Sequence, residues 1–61
     1  MKRDIQIKGI DFHIGNYTPR RNEYEKGLKY KLYAGGIPTD HVFSTLREAK
    51  EFINNNYWLW L

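Results

Sequence analysis

Sixty-one residues carry 10 Lys and Arg, 7 Asp and Glu, two His and no Cys, with 41% hydrophobic and 16% aromatic content. A chain this short closes one core, burying only about 60% of the surface its unfolded form exposes. Without cysteine it has neither a disulfide framework nor a thiolate zinc site, so aromatic packing or a partner must supply the missing stability.

The net charge of +3 is unevenly spread. Residues 1–31 hold eight basic and four acidic side chains, and residues 32–61 hold two and three. A mildly basic half suits phosphates or an acidic protein surface. Met1-Lys2-Arg3 is basic, but Asp4, Gln6, Lys8 and Asp11 interrupt any apolar secretion segment. No run nears the roughly 20 apolar residues of a membrane span. The expected location is the cytoplasm, with no membrane partner.

Ile5-Gln6-Ile7 alternates, and so does Ile10-Asp11-Phe12-His13-Ile14. Strands are expected at about 4–8 and 10–15. A straight strand through Gly9 would put Ile5 and Ile7 opposite Ile10, Phe12 and Ile14. A bulge or turn at Gly9 restores one apolar face, because glycine adopts the required backbone most readily.

Residues 16–27 lack apolar periodicity and hold Asn16, Pro19 and Gly27, so they read as a long loop. Loops of this length are usually functional or disordered. This one carries Tyr17, Arg20, Arg21 and Tyr24. Alternation returns at 28–34, with Leu28, Tyr30, Leu32 and Ala34 on one face and Lys29, Lys31 and Tyr33 on the other. Gly35-Gly36 and the segment from Pro38 to Asp40 mark a turn, and 41–43 forms a short returning strand.

Thr45-Leu46-Arg47-Glu48 is a capping box, which starts a helix over about 45–55. Leu46, Ala49, Ile53 and Tyr57 fall on one stripe with Phe52 at its flank. Asn54-Asn55-Asn56 stops it, since Asn tolerates a left-handed cap. The stripe is expected to pack on Ile10, Phe12, Ile14, Tyr30, Leu32 and Phe43. The tail Tyr57-Trp58-Leu59-Trp60-Leu61 is apolar throughout. Period-two alternation would put Tyr57, Leu59 and Leu61 on one side and both Trp on the other. Its three aromatics could contribute roughly 10 kcal/mol as an upper bound if buried. The tail therefore either folds back on the sheet or enters an interface, and the expectation is a homodimer through residues 57–61.

Two chemistries lack the residues they need. Asp11-x-His13 and Asp40-His41 lack the His pair at helical spacing of a metal site. Asp40, His41 and Ser44 are neighbours in sequence, whereas a triad needs its orienting group from elsewhere in the fold. No cofactor, metal or enzymatic activity is expected.

The stretch Tyr30 to Ile53, with Phe43-Ser44-Thr45-Leu46-Arg47-Glu48-Ala49 after a Gly turn, resembles the AP2-like N-terminal domain of phage integrases. That resemblance implies a small sheet with a C-terminal helix and DNA binding. Ile, Lys, Asn and Tyr make up 22 of the 61 residues. In this AT-rich character the chain resembles small accessory proteins of phages of Gram-positive bacteria, many of which block a host protein.

The expected fold is α+β, a three- to four-stranded antiparallel sheet with one C-terminal helix on one face. The expected function is non-enzymatic binding to a host protein, as a phage-type inhibitor of a defence protein. The expected binding residues are Tyr17, Arg20, Arg21, Tyr24, Lys29, Lys31 and Tyr33, and the expected dimer residues are Tyr57, Trp58, Leu59, Trp60 and Leu61. The alternative is a small DNA-binding module using the same basic sheet face.

Overall fold

Two tight turns set the register of the sheet. Lys8 and Gly9 both take positive φ, 53° and 83°, and Gly35 and Gly36 take 59° and 79°. Two successive positive φ values belong to the two-residue hairpin turn whose twist matches that of its strands. The computed structural model describes residues 3–21 and 27–61. It shows β1 (Asp4–Ile7), β2 (Ile10–Asn16), β3 (Tyr30–Ala34), β4 (Ile37–Phe43) and α1 (Leu46–Asn56), followed by a 3-10 helix at Tyr57–Trp60. The strands pair antiparallel in the order β1-β2-β3-β4. The fold is thus α+β, a four-stranded sheet with one C-terminal helix.

The turn at Lys8-Gly9 resolves the alternation problem around Gly9. Ile5 pairs with Phe12 and Ile7 with Ile10, so all four share the inner face with Ile14. Across the sheet Ile14 pairs with Leu32 and Phe12 with Ala34. Phe12, Ile14, Leu32, Ala34, Ala49 and Ile53 form the buried core. Ile5, Ile7, Ile10, Tyr30, Phe43, Leu46, Phe52, Tyr57 and Trp60 pack around it. Arg3 closes one end, its guanidinium 5.4 Å from the Tyr30 ring centre and 2.8 Å from Asn16 Oδ1.

β4 begins at Ile37, earlier than the 41–43 stretch, and carries an irregularity. Tyr33 pairs with Pro38 but Lys31 pairs with Val42, so Leu32 alone faces Thr39, Asp40 and His41. The Thr39 hydroxyl mends the ladder. It donates to the Leu32 carbonyl at 2.8 Å and accepts from the His41 amide at 3.2 Å. An excess of two residues preserves alternation, so His41 and Phe43 still face inward. The His41 ring lies 4.4 Å from that of Phe52 and 5.8 Å from that of Trp60.

The helix start differs from a full capping box. Thr45 Oγ1 accepts from the Glu48 amide at 3.1 Å, but the Glu48 carboxylate takes the Ser44 hydroxyl at 3.2 Å. The helix end also differs. No Asn supplies a left-handed cap, since Lys8 is the one positive-φ residue besides glycine among those described. Instead the chain tightens into the 3-10 helix, and Asn56 Nδ2 donates to the Phe52 carbonyl at 3.0 Å.

The tail therefore follows a spacing of three, not two. Tyr57 and Trp60 turn onto the core, with Trp60 edge-on to Phe12 at 5.4 Å between ring centres. Trp58, Leu59 and Leu61 point away and are 59%, 51% and 72% exposed. Ile37, in register with Ala34, is 69% exposed at the sheet edge. No helix among the described residues is long and apolar enough to cross a membrane.

Candidate partner-binding face

The helix covers one side of the sheet, so strand alternation assigns the opposite side its own residue set. Asp4 and Gln6 of β1, Asp11, His13 and Gly15 of β2, Lys31 and Tyr33 of β3, and Asp40 and Val42 of β4 share this outer face. Its charges are mixed: Asp4 and Asp11 lie on the β1–β2 side, while Lys31 on β3 shares a hollow with Arg20 and Asp40.

His13 and Tyr33 are cross-strand partners, with ring centres 6.0 Å apart. The Asp4 carboxylate fixes the imidazole from the other side, with Oδ1 2.7 Å from Nδ1. The Tyr33 ring leans along the sheet over Gly15, whose Cα hydrogen stands where any other residue would place a Cβ 2.7 Å from Tyr33 Cε1. Glycine at that point lets an aromatic lie flat on the sheet.

Tyr17 continues the line beyond Gly15. Its amide donates to the Lys29 carbonyl at 2.8 Å, which holds the chain beside β3 past the end of β2. Its ring centre is 5.9 Å from Lys31 Nζ, within cation–π range. Lys31 pairs with Val42 on its other side. Between these groups lies an open hollow of about 280 Å³, lined by Tyr17, Thr18, Arg20, Lys31, Asp40 and Val42.

Of the residues expected to bind a partner, Tyr17, Arg20 and Lys31 meet at this hollow, and Tyr33 lies two positions along β3. Arg21 is exposed beyond Arg20, and Lys29 is exposed just before β3. Tyr24 lies outside the described residues. Thr18 and Val42 do not stand out in the sequence, and Asp40 stands out there only beside His41 as a metal or triad candidate. Asp40 and Val42 reach the hollow through the β3–β4 register, which the Thr39 irregularity shifts. Among the described residues no group of three or more His, Asp or Glu gathers where a metal could sit.

Of the five expected dimer residues, Tyr57 and Trp60 are spent on the chain's own core, and Trp58, Leu59 and Leu61 remain on the surface. No family model matches the chain, and it has no significant similarity to a curated protein or a solved structure.

Proposed function

We propose that this protein is a non-enzymatic binding module that occupies the surface of a partner protein with the outer face of its sheet. One observation carries the reading: Tyr17, Lys31, Tyr33 and Arg20 converge on a face that plays no part in the buried core. Tyrosine and arginine are the residues that dominate binding energy at protein interfaces. Charges of both signs on one face favour a partner surface that is electrostatically complementary to it.

The composition rich in Ile, Lys, Asn and Tyr supports the narrower reading, a phage-type inhibitor of a host defence protein acting in the host cytoplasm. The exposed Trp58, Leu59 and Leu61 support self-association into a homodimer, since clustered apolar surface favours an interface.

The DNA-binding alternative draws on the Lys31–Tyr17 pair, a cation beside a ring of the kind that grips single strands. Asp4, Asp11 and Asp40 share that face and would repel phosphates, which favours a protein partner. Affinity capture from a Gram-positive lysate at low and high salt separates the two. A protein inhibitor is expected to retain one host protein in stoichiometric amount at high salt. Retention of nucleic acid alone, lost steeply as salt rises, would overturn the proposal.

A further inference from the structure

We infer that β1 is a self-pairing edge: two copies of the chain join their β1 strands antiparallel about a twofold axis at Gln6, fusing two four-stranded sheets into one. The inference rests on the self-association reading and supplies its geometry.

The sheet has two edges, β1 and β4. β4 is blunted, since Pro38 brings no N–H and the Thr39 irregularity breaks the line of the strand. β1 carries neither device. The Ile14 amide donates to the Arg3 carbonyl, so Arg3, Ile5 and Ile7 aim their backbone groups at β2. Asp4 and Gln6 therefore aim theirs outward, where no other strand among the described residues pairs with them.

The occupant follows from the strand's own sequence. Asp4-Ile5-Gln6-Ile7-Lys8 reads acid, apolar, amide, apolar, base, and so complements its own reverse. With the axis at Gln6, Asp4 meets Lys8 of the second copy and Ile5 meets its Ile7, each pair occurring twice. Opposite charges and apolar pairs directly across two strands stabilise, and like charges destabilise. An axis at Asp4 would set two carboxylates together. An axis at Ile5 or Ile7 would set Asp4 or Lys8 against neutral Gln6. An axis between two residues would set outward backbone groups against inward ones.

Both charges are open to this pairing. Lys8 is exposed at the turn and, among the described residues, in no ion pair. The Asp4 side chain is 83% exposed and meets His13 through Oδ1, and a carboxylate accepts at both oxygens. Ile5 and Ile7 are only half-buried at the border of the core, so apolar surface remains for the second copy to cover. The axis is normal to the sheet, which leaves both helices on one side and both outer faces side by side on the other.

The test is sedimentation equilibrium of the full chain at low salt, with Asp4→Lys, Lys8→Asp and an equimolar mixture of the two. Asp tolerates the positive φ of position 8. Each variant alone sets like charges across the axis and should weaken the homodimer about tenfold. The mixture should form a heterodimer about as tight as the native homodimer, because both charged pairs are then of opposite sign. Circular dichroism establishes that each variant is folded. Hydrogen exchange at the Gln6 amide should slow as the native chain is concentrated, and far less at the Ile5 amide, which already faces β2. No recovery in the mixture, or no slowing at Gln6, would overturn the inference. A dimer indifferent to both charge reversals but lost in Trp58→Ala with Leu61→Ser would overturn it while leaving self-association through the tail standing. A native chain that is monomeric at every concentration would overturn both.

Discussion

Tyr33 lies flat against the sheet because residue 15 is glycine: a Cβ there would sit 2.7 Å from Tyr33 Cε1. Gly15 is not at a positive-φ position, so alanine fits its backbone, and the conflict is with one side chain. Gly15→Ala should cost about 1–2 kcal/mol in the native chain by forcing Tyr33 off its position. In a Tyr33→Ala background the same change should be neutral or stabilising, because glycine's extra chain entropy is then removed without a clash. Urea denaturation of the four proteins measures the coupling.

The two tryptophans should behave differently despite standing two residues apart. Trp60 packs edge-on against Phe12 and lies 6.2 Å from Phe52, so Trp60→Ala should cost about 3–4 kcal/mol. Trp58 is largely exposed, so Trp58→Ala should change stability by about 0.5 kcal/mol or less. Light scattering should show that Trp58→Ala, combined with Leu61→Ser, shifts any dimer toward monomer. Equal thermal losses for the two single Trp variants would rule out the 3-10 arrangement of the tail.

Thr39 bridges the irregular stretch of β4 with two hydrogen bonds, one donated and one accepted. Thr39→Val keeps the shape and removes both. It leaves the Leu32 carbonyl and the His41 amide short of a partner, and should cost about 1–3 kcal/mol. Hydrogen exchange should quicken at the His41 amide and little at the Ile14 amide, which donates to the Arg3 carbonyl on the far side of the sheet.

His41 is part of the core's aromatic border, between Phe52 and Trp60. His41→Phe should be tolerated within about 1 kcal/mol, whereas His41→Ala should cost about 2 kcal/mol through lost ring contacts. Thermal melts of the two variants check the ordering.

The inner face was legible in the sequence because its signals are local. Ile10, Phe12 and Ile14, then Tyr30 and Leu32, alternate cleanly, and Leu46, Ala49 and Ile53 repeat at helical spacing. All of them meet in the core. The start of β4 was hidden, since Pro38, Thr39 and Asp40 are turn formers, yet the turn itself needs only Gly35 and Gly36. Pro38 is accommodated because β4 is an edge strand. The hollow was half legible. Tyr17, Arg20 and Lys31 stand out by type, but Asp40 and Val42 join them through a register displaced by two residues, which no local pattern records.

The separation of a folding face from a binding face is tested most directly by reversing charge at Arg20→Glu and Arg21→Glu together. Both side chains are exposed, and neither belongs to the core. Partner capture and the thermal midpoint should be measured on the same preparation. Capture should be lost while the midpoint moves by no more than about 2 °C. Undiminished capture, or a collapse of the midpoint, would contradict the division of labour between the two sides of the sheet.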